Sequence, residues 1–393
     1  METKAINTKL KGHARVDVAD VLRGLAVMGI IILHSIEHFN FYSFPDTAGQ
    51  SAWLNFSDKA IWNGLFFMFG GKAYAIFALL FGFSFFIQDD NQRLRGNDFR
   101  LRFCWRLILL FLIGNINASF FTAEVLVLYS LVGFILPLTC RLKDKWIFAL
   151  ACLLLIQPLP LYYVIRACLD PEFVTPAIPT RSFWNATFAV QSNGNFLETI
   201  RVNLWEGQLA SLAWAWDHGR VFQTAALFLL GMLIGRKGLF LKEHLKVWNK
   251  VLASSLVAFF PLYGLGNMLP DFITNKSILT PLSLIITSLS NFAFMLILVS
   301  GVFAFHKKNL HDGLMKITPY GKMSLTNYIT QSIVGSMLYY NWGFALHNQF
   351  GITASCLAGI VFFILQFSFC RWWMNHHSHG PMEYIWKRAT WLK

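Results

Sequence analysis

Arg23 and His34 sit eleven positions apart within one long apolar segment that runs from Val18 to His34. On a helix that spacing is about 16 Å, roughly half the hydrocarbon thickness of a bilayer. It places a permanent cation toward one membrane face and an imidazole near the middle or in the far half. Ionisable groups at such depth are costly and usually mark a function. A neutral imidazole titrates near working pH and can take a proton from an attacking hydroxyl or amine. His34 is therefore a candidate general base, with Glu37 or Glu124 as the carboxylate that orients it and stabilises its charged form. Arg23 would face anionic groups entering from the cytoplasm, such as the phosphates of an acyl carrier. The plainer role for Arg23 is to snorkel with Arg15 and Asp20 at the interface.

The string His34-Ser-Ile-Glu-His38 offers a second chemistry. Positions i, i+3 and i+4 share a helix face, so the three polar side chains can converge. The string matches the H-x-x-E-H signature of one class of zinc protease. Zinc catalysis also needs a third protein ligand, for which only Glu124 or a loop aspartate is on offer. Lys72, after Gly70-Gly71, could meet a substrate carbonyl or phosphate, or pair with Asp20 or Glu124. Asn115, Asn117 and Glu124 flank a short turn. Asn327 and Gln331 lie one turn apart and face one way, where interhelical bonding is the commoner job. The tail histidines His376, His377 and His379 read as a solvated cluster. Gly70-Gly71-Lys72 lacks the spacing and the following Ser/Thr of a nucleotide-binding loop, which argues against an ATP-driven pump.

The elements that must position these groups are membrane helices. Of 393 residues, 55% are hydrophobic and 13% charged, about half the charged fraction of a soluble domain. Apolar stretches of spanning length fall at 17–38, 60–88, 103–121, 124–140, 146–167, 219–236, 247–268, 279–305, 322–342 and 352–374. The pattern predicts an all-α polytopic bundle of about ten transmembrane helices. The second stretch is longer than a span and is interrupted at Gly70-Gly71, which suggests a broken or re-entrant helix lining protein or a wet cavity. The N-terminal stretch lacks a small-residue cleavage site and carries Asp20 and Arg23, so it reads as a retained helix.

The formal charge of +13 is spread between apolar segments, which speaks against nucleic acid and for topology. The N-terminus (Lys4, Lys9, Lys11, Arg15), the connections at 89–106, 141–145, 236–250 and 306–322, and the chain from 371 onward hold 25 of the 33 Lys and Arg. That asymmetry predicts N-in, C-in and an even number of spans. The longer outer segments, 39–59 with Asp46 and Asp58 and 168–218 with Pro171, Pro176 and Pro179, could cap an outward cavity or simply connect spans. Six scattered Cys suit small buried hydrophobes better than disulfides or zinc.

Six stretches, taken in order, resemble the YeiB-type membrane proteins that carry a domain of unknown function numbered 418. They are Asp20-Val-Leu-Arg-Gly-Leu-Ala-Val-Met-Gly-Ile30, Lys72-Ala-Tyr-Ala-Ile-Phe-Ala-Leu-Leu-Phe-Gly82 and Glu124-Val-Leu-Val-Leu-Tyr-Ser-Leu-Val-Gly133. Phe228-Leu-Leu-Gly-Met-Leu-Ile-Gly-Arg-Lys-Gly238, Met323-Ser-Leu-Thr-Asn-Tyr-Ile-Thr-Gln-Ser332 and Gly380-Pro-Met-Glu-Tyr-Ile-Trp386 complete them. The resemblance covers nearly the whole chain. It suggests an N-terminal bundle, 1–218, and a C-terminal bundle, 219–393, joined as one structural unit.

That family in turn resembles the wider transmembrane acyltransferases, including acyltransferase-3 proteins and the heparan glucosaminide acetyltransferase. The acyltransferase-3 proteins share an Arg, ten residues, then His in the first helix, and the matching positions are Arg23 and His34. YeiB-type sequences often have Asn where this chain has His34, so here it is closer to the acyltransferases. The resemblance implies a bacterial inner-membrane enzyme that moves an acyl group, such as acetyl, from cytoplasmic acyl-CoA to an outward-facing glycan hydroxyl or amine. His34, Glu37 and Glu124 would then be catalytic; Arg23, Lys72, Asn117, Asn327 and Gln331 would hold the co-substrate; no metal is expected. The bilayer, acyl-CoA and an extracytoplasmic acceptor are the expected partners, and self-association is open. A transporter or flippase without chemistry and the intramembrane zinc protease are the competing readings.

Overall fold

The computed structural model describes residues 17–42, 44, 49–176, 178–305 and 311–391. Lys4, Lys9, Lys11, Arg15, Asp46 and the lysines at 307 and 308 lie outside the described residues. Among those described there is no strand, and each of the ten apolar stretches is helical.

In chain order the helices begin with α1 (Asp17–Ile36), α2 (Ala52–Phe69), α3 (Ala73–Arg93), α4 (Arg100–Ala118), α5 (Leu126–Val132) and α6 (Ile135–Thr139). Next come α7 (Asp144–Leu155), α8 (Pro158–Leu169), α9 (Thr180–Asn193), α10 (Phe196–Val202), α11 (Gln208–Asp217) and α12 (Arg220–Arg236). The chain continues through α13 (Leu245–Phe272), α14 (Lys276–Phe305), α15 (His311–Met315), α16 (Thr318–Lys322), α17 (Ser324–Tyr339), α18 (Ile352–His376) and α19 (Pro381–Trp391). A π-helical turn, Asn203–Gly207, joins α10 to α11.

Six elements are long and apolar enough to cross a membrane: α1, the run Ala52–Arg93, α4, α13, α14 and α18. Counting each bent pair as one span raises the number to eight. These pairs are α7 with α8, bent by 51°, and Phe196–Asp217 with α12, bent by 72°. The stretch at 124–140 falls short because it divides at Gly133-Phe134 into α5 and α6, and α17 has only 16 residues.

α1 is the centre of the bundle. Its apolar window is 72% buried, against 44% or less for the other five spans, as expected for a helix that is apolar nearly all round. Arg23 and His34 are half-buried on this helix. α3 and α12 pack closely. A Cβ on Gly82 would collide with the Phe228 carbonyl, and one on Gly231 with the Leu79 carbonyl. Small residues let two membrane helices approach in this way. At the basic end, Asp98 accepts from the Arg100 amide at 3.0 Å and caps α4. Hydrogen bonds from Arg100 hold its carboxyl well below the usual carboxylate range.

Candidate functional site

At the far end of α1 from Arg23, the imidazoles of His34 and His38 both turn Nδ1 toward Glu37 Oε1, each at 2.9 Å. The helix ends at Ile36, and turns carry the chain through Tyr42, whose hydroxyl donates to Glu37 Oε2 at 3.2 Å. Phe41 and Tyr42 take positive φ, which folds this turn back over the cluster. Phe121 packs 5.0 Å from the His34 ring and 5.8 Å from that of His38, and Trp184 lies 6.0 Å from His38. The carboxylate side chain is 6% exposed while the imidazoles are 19% and 18% exposed, so Glu37 is shielded and the two bases can be reached. With Nδ1–H given to Glu37, Nε2 is the nitrogen left to accept a proton, which is the arrangement of an oriented general base.

The ligand atoms of His34, Glu37 and His38 lie within 4.8 Å of one another and make a possible metal group. Glu37 Oε1 lies 2.9 Å from both Nδ1 nitrogens, but only the His34 contact has hydrogen-bond geometry. Glu124, the sequence's other choice for a third ligand or an orienting carboxylate, points elsewhere. It is 3% exposed, accepts from Asn117 and from the Leu126 amide, and braces the turn between α4 and α5. The structure thus brings Glu37 to His34 and joins Glu124 to Asn117.

Arg23 lines a cavity of about 540 Å³ that opens near the basic ends of the helices. Its guanidinium donates to Asp20 and to Ser84 of α3, both at 2.6 Å. Arg106, Lys322, Lys387 and His379 share the lining with it, while Phe77, Phe81 and Leu110 make it largely apolar deeper in. Ile30, Val125 and Tyr74 also line the cavity. Ile30 and His34 are i and i+4 on α1, so the base lies one turn beyond a residue of the cavity wall.

α19 forms much of the wall at the basic end. Trp386 stacks under the Arg106 guanidinium at 3.7 Å and donates from Nε1 to the Arg106 carbonyl at 3.3 Å. Glu383 accepts from the Leu325 and Thr326 amides at 2.7 and 3.1 Å, and so caps α17 from another element. Arg106, Lys322, Lys387 and Glu383 were missed in the sequence. Their signal was present in part, since Glu383 falls in one of the six resembling stretches and the others are basic residues at helix ends.

The remaining candidates do other work. Asn327 donates to the Tyr320 carbonyl at 3.0 Å, and Gln331 to the Tyr320 hydroxyl and to Gln366, both at 3.0 Å. Gln366 returns a bond to Thr330 at 2.7 Å, closing a network that joins α16, α17 and α18. Lys72 pairs with neither Asp20 nor Glu124. Its ammonium lies 3.5 Å from the Phe66 carbonyl and 5.4 Å from the centre of the Phe294 ring. The segment 168–218 supplies Trp184 to the histidine cluster. It also supplies Gln191 and Asn203, which bond to each other at 2.7 Å and hold Thr122 and the Ser119 carbonyl.

Residues 234–393 match the family described as Protein of unknown function (DUF418). The chain is also similar over most of its length to the uncharacterized protein YxaH of Bacillus subtilis (strain 168), at 26% identity, covering 97% of this chain and 95% of that one. The uncharacterized protein YeiB of Escherichia coli (strain K12) is 25% identical over 94% of this chain and 95% of its own. An uncharacterized 39.9 kDa protein in the amylase 3' region of Bacillus acidopullulyticus is 24% identical over 96% and 94%. No solved structure matches. The apolar helices are those of a multi-pass membrane protein, and the similarities are to YeiB-like proteins over most of the chain and to DUF418 over its C-terminal part.

Proposed function

We propose that this chain is a membrane acyltransferase that takes an acyl group from acyl-CoA and passes it to a hydroxyl or amine on the opposite side of the membrane. The cavity carries the reading. It combines a cationic rim of Arg23, Arg106, Lys322 and Lys387 with an apolar, aromatic interior, and its wall reaches Ile30, one turn from His34. Phosphates suit the rim, because guanidinium and ammonium groups bind them as charge-assisted donors. The pantetheine arm and acyl chain suit the interior, and the volume falls in the range of small-molecule sites. In this reading the thioester passes Ile30 toward the histidines.

The chemistry then follows from Glu37. It holds His34 with Nε2 as the proton acceptor, so His34 takes the proton of the acceptor hydroxyl or amine as its oxygen or nitrogen attacks the thioester carbonyl carbon. The carbon–sulfur bond breaks, and the thiolate of coenzyme A leaves and takes up the proton. A general base of this kind contributes about 10²- to 10⁴-fold. The orientation belongs to the same proposal: about ten spans in a bacterial inner membrane with both termini cytoplasmic, supported by the 25 of 33 Lys and Arg on that side. The purified protein should hydrolyse or transfer acyl-CoA, and His34→Ala should slow it by about 10²-fold or more. Equal rates in the two proteins would remove His34 as the base.

One observation favours a second reading, movement of an anionic solute without chemistry. Helices interrupted within the bundle are a common basis for solute sites in transporters, and this bundle has breaks at Gly71, Gln157 and Gly219, all at positive φ. Coenzyme A binding at the cavity would separate the two.

A further inference from the structure

Three helix breaks converge on the middle of α14. Gly71 (φ +73°) lies between α2 and α3, Gln157 (φ +60°) between α7 and α8, and Gly219 (φ +63°) between α11 and α12. Gln157 Nε2 donates to the Gly219 carbonyl at 3.1 Å and to Ser288 Oγ at 3.0 Å. Gln223, one turn into α12, donates to the Ser288 carbonyl at 3.1 Å. A Cβ built on Gly71 would lie 2.9 Å from Asn291 Nδ2 and 3.1 Å from Arg220 Nη2, so these donors crowd one point. Glycine is needed at 71 on both counts, backbone conformation and space.

The breaks leave positive charge without a counter-ion. Lys72 is 8% exposed, and among the described residues its hydrogen-bond contact is the 3.5 Å approach to the Phe66 carbonyl. Arg220 stacks on Tyr74 at 4.3 Å and donates to Gln223 at 3.0 Å, yet its buried Nε has no hydrogen-bond partner among the described residues. Among the described residues no carboxylate lies within 4 Å of either cation; Asp20 is on Arg23, Glu124 on Asn117, and Asp217 on Thr180. α3 and α12, of 21 and 17 residues, both begin here without a side-chain cap, so their first-turn amides add positive potential. Two cations and two helix starts within a bilayer call for an anion.

We propose that Lys72 and Arg220, with the Asn291 amide, form a binding site for a single oxyanion group, a carboxylate or a phosphate. Guanidinium, ammonium and amide all donate, so the site selects for an acceptor-only ligand, and oxygen acceptors match the Arg220 fork better than chloride does. Tyr74 stacks on Arg220 and also lines the large cavity, so the anion site adjoins the cavity wall while standing apart from its cationic rim. It does not rest on acyl transfer. An oxyanion is needed to balance these charges whether the protein transfers groups or moves solutes.

The test is the melting temperature of the full chain in phosphatidylcholine nanodiscs, followed by tryptophan fluorescence. Sodium acetate or phosphate replaces chloride at constant ionic strength in one arm. Phosphatidylglycerol replaces part of the phosphatidylcholine in the other. Wild type should be stabilised by several degrees in at least one arm, and Lys72→Gln and Arg220→Gln should lose that shift. A shift with soluble anions identifies a free oxyanion, and a shift with phosphatidylglycerol alone identifies a lipid phosphate. Asn291→Asp supplies an internal counter-ion, so it should melt higher in chloride and show no anion shift, even where the cation variants fail to fold. The proposal is overturned if wild type shifts in neither arm, if the cation variants shift as much as wild type, or if Asn291→Asp keeps the full shift.

Discussion

Glu37 is placed between two imidazoles, and the consequence is specific to one atom of it. Oε1 faces both Nδ1 nitrogens, and Tyr42 holds Oε2. Glu37→Gln keeps the shape but offers at most one acceptor oxygen, so the two histidines can no longer share an oriented carboxylate. Acyl transfer should fall by about 10²-fold or more with little change in KM for acyl-CoA, since the cavity lining is untouched; a rise in KM alone would assign Glu37 to binding instead. The i, i+3, i+4 spacing made this cluster legible from sequence. The choice between Glu37 and Glu124 was not legible, because it depends on Asn117, which sits across the same turn and takes the Glu124 carboxylate. Nor could spacing show Trp184 against His38, a contact made from 146 residues away.

At the scale of elements, glycines decide where helices stop and how near they come. The break at Gly70-Gly71 was legible, since a glycine pair before a lysine cannot continue an apolar helix without a reason. The break at Gln157 was only half visible. Pro158 ends the preceding helix, but a left-handed glutamine is set by its bonds to Gly219 and Ser288, which sequence does not show. The α3–α12 contact gives the test at this scale. Gly231→Val would push a branched side chain into the Leu79 carbonyl, and overpacking of this kind costs about 1–3 kcal/mol. The melting temperature of the variant in detergent should drop by several degrees, while Gly301→Ala, where a Cβ meets nothing, should melt as wild type.

For the whole molecule, the cavity is what the sequence concealed. Its lining comes from residues as far apart as Arg23 and Trp391, drawn from α1, α3, α4, α5, α16, α17 and α19, and no local pattern predicts that assembly. Apolar length alone also does not reveal that 124–140 divides in two, which is one reason that six to eight helical runs, and not ten, meet a spanning length as they stand. If the rim holds phosphates, Lys322→Glu should raise KM for acyl-CoA by about tenfold or more, as a reversed charge beside an anion costs over 1 kcal/mol. kcat should change far less, and an unchanged KM would place the phosphates elsewhere. The cap on α17 also bears on how the bundle is made. Thr326 and Glu383 are 57 residues apart, with the whole of α18 between them. On the ribosome, α17 therefore emerges ahead of Glu383, with its first amides bare until the later segment reaches them. The wall of the cavity is completed only when α19 has followed α18, so biogenesis leaves this compartment unsealed until that stretch arrives.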